Sequence, residues 1–446
     1  MTQTSLHLKI FQISTFKSSL VLLLLSFLFL QRSPAASSSG ENAIALSFLQ
    51  EVLEKNLQVR SAEFRWQSLA YQPQIAATLP DPQFNYTIFF RGVQTRTGIM
   101  RNRFSVSQKI PFPGKLSTTK SIALYESHTA YWEYRAALRD TFFDARVLLA
   151  DLYLIDASLS VLRDQEALLR QTETSTEALI EANQSSISSA LRTRLAAEEI
   201  LTQIARLEAQ RVGILSRMAA LRGDAQTGPA FPRYTKPVFP KISSLTNLLK
   251  ESMGLNQDLE IARAEIRREQ SAERLASLEY FPDISLGVEY TQLQSYSGSS
   301  GSPDPIGGTI SVNLPIWWNK IDAQKKSAKA KRASAEAREA QLTANVSAQV
   351  QSAYAMADTM KKERSRYAKT ILPDARDAYE SSVASYSVGN ISLTDLLDVQ
   401  RALLAAELGL INRSADYLRA IADLERAIGE PISNTLSLKP TPEDKN

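Results

Sequence analysis

"QFNYTIFFR", residues 83–91, alternates between apolar and polar side chains. Phe84, Tyr86, Ile88 and Phe90 fall on one face of an extended chain, with Gln83, Asn85 and Thr87 on the other. Alternation with period two marks a strand whose faces meet different surroundings. The pattern returns three times. In 103–110, Phe104, Val106 and Ile110 alternate with Arg103, Ser105, Ser107 and Lys109. In 283–291, Ile284, Leu286, Val288 and Tyr290 alternate with Asp283, Ser285, Gly287, Glu289 and Thr291. In 309–314, Ile310, Val312 and Leu314 alternate with Thr309, Ser311 and Asn313. A soluble, half-buried hairpin gives the same signal. Here, however, each pair brackets a Gly- or Ser-rich loop (92–102 and 294–305) and is enclosed by helices that are already amphipathic. Strands of about ten residues suit a bilayer-spanning barrel.

Four strands cannot close such a barrel, since the smallest bacterial ones have about eight. An open edge in lipid costs several kcal/mol per unpaired backbone group. If these strands span a membrane, several chains share one barrel: two would bring eight strands, three twelve.

The segments around the strands occur twice. "NLQVRSAE" from 56 pairs with "NQDLEIAR" from 256, "LPDPQFNY" from 79 with "FPDISLGV" from 281, "VSQKIPF" from 106 with "SVNLPIW" from 311, and "LRG" from 221 with "AIG" from 427. This duplication divides the chain into a first repeat, 41–222, a Pro- and Gly-rich linker, 223–241, a second repeat, 242–432, and a tail, 433–446. Each repeat reads helix, strand, loop, strand, long helix, turn, long helix.

The helices are long. No proline interrupts the chain between Pro113 and Pro229, and the one break expected there is "EANQSSISS", 181–189. A helix from about 114 to 181 spans roughly 100 Å. The second repeat resumes near 318, with a kink expected at Pro373. In the last helix Leu396/Leu397, Leu403/Leu404, Leu410/Ile411, Tyr417/Leu418 and Leu424 recur every seven residues. That is a coiled-coil seam. Alanines and small polar residues elsewhere allow close approach on a second helix face.

Composition excludes several functions. The 446 residues include no cysteine, so disulfides, zinc thiolates and thiol catalysis are absent. His7 and His128 are the only histidines, too few for a histidine-rich metal centre. Lys9 and Lys17 precede the apolar run "SSLVLLLLSFLFL", and "SPAASSSG" follows it. This reads as an export signal over 1–35 with cleavage between about Pro34 and Ser38, a retained membrane anchor being the other reading. Without its three basic residues, 48 of the 51 Lys and Arg remain against 47 Asp and Glu. The basic excess thus belongs mostly to the signal, and nucleic acid is not expected as a partner.

"YSVGNISLTDLLDVQ", 386–400, reads as a tight turn and a new helix. Gly389 and Asn390 suit the turn, and Ser392 with Asp395 fits a capping box. At 100° per residue, Asp395 and Asp398 lie about 150° to either side of the Leu396/Leu397 seam, both pointing away from it. In a single helix pair this is a solvated face; in a closed helical tunnel it is the lumen.

The order of elements, the duplication, "LPDP" from 79, "SQKIPFPGK" from 107 and "YSVGNISLTDLLDVQ" together resemble the TolC-type outer membrane efflux family, over about 41–432. The wording of the first two motifs resembles its heavy-metal branch. The resemblance implies a mainly α fold with a small β part. Long coiled-coil helices form an α-barrel, and four transmembrane strands per chain close as a trimeric twelve-stranded β-barrel. It also implies an outer membrane location in a Gram-negative bacterium, extending into the periplasm, with a periplasmic adaptor, an inner-membrane efflux pump and outer membrane lipid as partners. The implied activity is passive efflux with no cofactor, and the sequence has neither a phosphate loop nor a catalytic constellation.

By this resemblance Asp395 and Asp398 form stacked carboxylate rings at a constriction gate. Two charges 6 Å apart repel by about 0.7 kcal/mol in water and about 3 at an effective dielectric of 20. Tyr386, Gly389, Asn390 and Ser189 mark hairpin tips (about 181–189 and 386–392) that meet the adaptor. Ile391 and Ser189 stand where the family's pattern has an arginine and an aspartate. Phe112, Trp317 and Trp318 form either an aromatic girdle at the membrane interface or the packing of the strand-to-helix turn. Two other readings stay open: a channel of this architecture specific for metal cations, and a periplasmic coiled-coil scaffold without a pore.

Overall fold

The computed structural model describes residues 40–96, 98–181, 187–224, 231–295, 303–388 and 390–432. The signal segment, Gly389 and the tail 433–446 lie outside them, as does most of the first hairpin tip. Two short helices, α1 (Gly40–Lys55) and α2 (Leu57–Ala70), and a single turn, α3 (Gln72–Ala76), lead into β1 (Gln83–Gln94) and β2 (Ile99–Ile110). The long helices α4 (Lys115–Glu181) and α5 (Ile187–Leu221) follow. The order then repeats as α6 (Leu245–Leu255), α7 (Gln257–Leu278), β3 (Ile284–Gln294), β4 (Ile306–Val312), α8 (Trp318–Arg366), α9 (Leu372–Ser387) and α10 (Leu393–Ile428). No helix among the described residues is long and apolar enough to cross a membrane.

The duplication has a physical counterpart. Asn56 caps α2, its Oδ1 accepting from the N–H groups of Gln58 and Val59, while its Nδ2 donates to Leu221 O at 2.7 Å. Asn256 does the same for α7, accepting from Asp258 and Leu259 and donating to Ala427 O at 3.0 Å. In each repeat one asparagine thus starts a short helix and satisfies the last turn of the long returning helix. Gly429 closes α10 at φ 99°, and a β-carbon there would stand 2.7 Å from Leu255 O. Gly223 occupies the matching corner at φ 77°, against Lys55 O.

The strands form one antiparallel sheet in the order β1-β2-β3-β4. Its register keeps like faces together: Phe84 opposes Val106, which opposes Val288, and Tyr86, Phe104, Tyr290 and Ile306 form the next row. One face is mainly apolar, interrupted by Asn102, Gln108 and Gln292, and Phe84, Phe90, Val288 and Ile310 on it are exposed. The other carries Asn85, Arg103, Ser105, Glu289 and Ser311, with Arg103 and Glu289 paired at 3.1 Å. The outer edges of β1 and β4 have no strand beside them among the described residues.

Two strand limits differ from expectation. The loop expected over 92–102 is mostly strand, with the chain turning at 95–98, where Thr95 N–H donates to Gly98 O at 2.8 Å. Register shifts between Ile88 and Val93 and between Met100 and Asn102 break the alternation there, so the period-two signal fades before the pairing does. β4 covers Ile306–Val312, three residues earlier than expected at its start.

The kink expected at Pro373 is a π-turn over Tyr367–Ile371, just ahead of the proline. Leu372 N–H reaches back to Tyr367 O, five residues away. The extra residue places Pro373 in the first turn of α9, where its missing N–H leaves no bond broken.

The core lies along the helices in two stretches. In one, Phe142, Phe143, Leu152, Leu159 and Leu162 of α4 meet Ile200 and Met218 of α5 and Leu396, Leu397 and Ile411 of α10. In the other, Leu248, Leu259, Val346 and Val350 pack on Tyr417, Ile421, Leu424 and Ile428. The heptad seam of α10 is therefore core-facing, as its spacing requires.

Residues 231–243 cross both halves as an irregular strap. Buried Asp156 holds its first part, accepting from Arg211 at 2.6 Å, Arg233 at 2.9 Å and Tyr234 N–H at 3.0 Å. Its second part rests on the other repeat, with Tyr417 Oη donating to Pro240 O at 2.7 Å and the Arg364 guanidinium 3.7 Å from the Phe239 ring centre.

Candidate functional site

Two regions at opposite ends of α4 carry the candidate residues. At the far end from the sheet, α9 finishes at Ser387 and Asn390 N–H donates to Ser385 O at 2.9 Å. Ser392 then caps α10 by a full capping box. Asp395 N–H donates to Ser392 Oγ at 3.2 Å, and Asp395 Oδ2 accepts from Ser392 N–H at 3.1 Å and Oγ at 2.7 Å. These bonds, the hydroxyl first and then the backbone, hold the Asp395 carboxyl below the usual carboxylate range.

Asp395 and Asp398 are both exposed, while Leu396 and Leu397 between them, and Leu393 before them, are buried. The sequence reading missed that Asp398 pairs with Arg401 at 3.1 Å, one turn along the helix. The i, i+3 spacing was the signal. Each side chain of that pair is 63% exposed, so the pairing is weak and the charges are screened by solvent.

Tyr386 and Ile391 are partly buried against the first core stretch. Ile391, where an arginine was the family expectation, thus contributes apolar packing. Ser189 sits half-buried in α5, its carbonyl accepting from Thr193 Oγ1 at 3.2 Å. One turn away Arg192 Nη1 donates to Thr394 Oγ1 at 3.1 Å, joining the two hairpins beside Asp395. Among the described residues, no group of three or more His, Cys, Asp or Glu could hold a metal ion.

At the sheet end, Phe112 stacks on Phe281 at 4.4 Å, so it packs the strand-to-helix turn. Trp318 stacks on Tyr280 at 6.0 Å yet stays 60% exposed, and Trp317 is 72% exposed beside exposed Leu314 and Ile316. The sequence reading missed the centre of this junction. Asp283 accepts from Phe112 N–H at 3.0 Å, from Lys115 Nζ at 2.9 Å and from Lys109 Nζ at 3.1 Å, tying the start of β3 to the end of β2 and the start of α4. The "PD" shared by "LPDP" and "FPDI" was the available signal. Toward the other end of the strands, Tyr86, Phe104 and Tyr290 stack at 5.0 and 6.2 Å. The two tyrosine hydroxyls donate to neighbouring polar side chains, Tyr86 to Asn102 at 2.8 Å and Tyr290 to Asp304.

Residues 248–430 match the family described as "Outer membrane efflux protein". No curated protein matches the chain by sequence. Solved structures share the fold over nearly the whole chain. The CusC transmembrane channel has a TM-score of 0.72 at 16% identity, over 89% of this chain and 95% of that one. VceC, an outer membrane protein of Vibrio cholerae, has 0.70 at 15%, over 87% and 96%. The open state of the MtrE outer membrane channel of Neisseria gonorrhoeae has 0.69 at 18%, over 86% and 88%. The likeness is even among them and favours none, the CusC channel included.

Proposed function

We propose that this chain, matched in its second half by the outer membrane efflux family and folded throughout like solved outer membrane channels, is the outer membrane conduit of a multi-component efflux system. One observation carries the reading. Among the described residues the four-stranded sheet is mainly apolar on one face, mainly polar on the other and open at both edges. Lipid satisfies the first face and a water-filled lumen the second, and only neighbouring strands satisfy the edges. Three chains supply twelve strands. A pore-free scaffold would leave the apolar face in water.

The helices support the same assembly. Along α8, Ile321, Ala328 and Ala335 are buried against the rest of the chain. Ala323, Ala330, Ala337 and Ala344, on the opposite side, are exposed at seven-residue spacing. Small residues in register let a neighbouring chain's helix approach closely. The helices then continue the barrel as a tunnel into the periplasm, with the hairpin tips toward an adaptor and an inner-membrane pump. The chain acts as a passive conduit, with transport driven by the pump.

Asp395 and Asp398 face away from the packed seam, toward the axis of such a tunnel. Three copies form an acidic constriction that attracts cations, with Arg401 diluting the Asp398 ring. The test is reconstitution. The protein should need detergent, migrate as a heat-sensitive trimer and conduct in planar bilayers. Trivalent cations should block it from the periplasmic side, less so after Asp395→Ala with Asp398→Ala. Unchanged block in that variant would sink the gate, and a detergent-independent monomer would sink the channel.

A further inference from the structure

The junction around Asp283 exists once inside the chain, yet the duplication encodes it twice. Asp81 of "LPDP" aligns with Asp283 of "FPDI", and Leu79 with Phe281. On the receiving side Pro315 aligns with Pro111, Ile316 with Phe112 and Asn319 with Lys115. Inside the chain the first set meets the second, because β3 lies beside β2. Phe281 stacks on Phe112, and Asp283 takes Lys115 and the Phe112 N–H. The other half of each set stands free. Asp81 is exposed at the β1 edge, and Leu79 is 47% exposed. At the β4 edge, Ile316, Trp317, Trp318, Asn319 and Lys320 line an open recess.

We propose that the Leu79–Asp81 segment of one chain seats in the Ile316–Lys320 recess of a second copy, with Asp81 bonded to Asn319 and Lys320 and Leu79 packed on Ile316. The proposal rests on the multi-chain reading above and adds to it a latch and a register. Carried across the edge, the β2–β3 pairing sets Tyr86 opposite Ile310, Asn85 opposite Ser311 and Phe84 opposite Val312. In these rows apolar residues meet apolar ones on the lipid face and polar residues meet polar ones on the lumen face. A one-residue slip would reverse the faces. Asn319 replaces Lys115, and Lys320, one residue on and exposed, restores the cation. Ile316 N–H turns back on Leu314 O at 2.9 Å in the single chain, so Asp81 draws on side chains where Asp283 also uses backbone.

The absence of native cysteine makes the test direct. The full-length protein, purified from membranes, is oxidised as the Asn85→Cys/Ser311→Cys variant and as the control Asn85→Cys/Thr309→Cys. The expected result is a covalent ladder up to the trimer in the first and loss of that ladder in the control. Asp81→Asn should lose the heat-resistant trimer at a temperature where wild type keeps it, and Asp81→Glu should recover it in part. A trimer that cross-links through the control pair, or an Asp81→Asn trimer as heat-resistant as wild type, overturns the latch alone. A wild-type protein that forms no trimer overturns the latch and the multi-chain reading together.

Discussion

The ring of Tyr367 fills the space that a β-carbon on Gly409 would need: built there, that carbon stands 2.3 Å from Cε1. Tyr367 opens the π-turn and Gly409 lies mid-way along α10, so the irregular turn and the gap in the facing helix are one fitted contact. Gly409→Ala should lower stability by about 1–2 kcal/mol, since overpacking costs about 1–3. The alanine's helix propensity, about 1, offsets part of that. In a Tyr367→Ala background the same change should stabilise. Thermal melts of the four proteins in one double-mutant cycle measure this, and additive effects would show that the ring moves freely.

Asp156 holds two arginines and a backbone N–H from a nearly inaccessible position. Replacing it with alanine leaves Arg211 poorly solvated and frees the first part of the strap. A loss of about 3 kcal/mol is expected. Limited proteolysis should show faster cleavage between 225 and 241 in Asp156→Ala, with the second repeat cut at its ordinary rate.

The sheet's two faces should respond oppositely to charge. Val288→Lys places an ammonium on the apolar face and should cost about 2–4 kcal/mol of insertion at mid-depth. Thr309→Lys, on the polar face, should insert normally. Recovery of heat-modifiable protein in outer membrane fractions separates the two, and equal recovery would contradict the face assignment.

The capping box predicts a pH profile for the tip. Asp395's carboxyl lies below its unfolded value because Ser392 bonds favour the charged form. The stabilisation is therefore present above the unfolded carboxylate range and disappears as pH falls through the lowered folded value. Cation block should persist from pH 7 to pH 5 and weaken only in stronger acid. In Ser392→Ala the onset of that loss should move to higher pH, as read from single-channel block across a pH series.

Much of this was legible in the sequence because it is periodic or repeated. Strict alternation located four strands, the seven-residue spacing of α10 named its buried face, and "NLQV" with "NQDL" marked the repeat, though not the capping role of its two asparagines. What was not legible depends on contacts between distant segments. Asp283 reads as one turn residue among several until Lys109, Lys115 and Phe112 converge on it. Pro373 announced an irregularity, but its π form and the fit of Tyr367 against Gly409 are visible only in the packed helices. The turn at 95–98 was overestimated because bulges disrupt the side-chain period while leaving the hydrogen bonds in place. Arg401 beside Asp398 was readable by helix spacing alone, and it tempers the charge that the two aspartates present.

The strap has a further consequence for how such a chain arises. It touches the first repeat through Asp156 and the second through Arg364 and Tyr417. Two half-length chains could form the same helices and strands, but they would meet only at the dilution of free subunits. Joined by a segment that adheres to both, the halves stay at a high effective concentration, so their association no longer depends on how much protein the cell makes. The connecting peptide is itself a clamp, and under the proposed assembly three chains meet where six half-chains would have to.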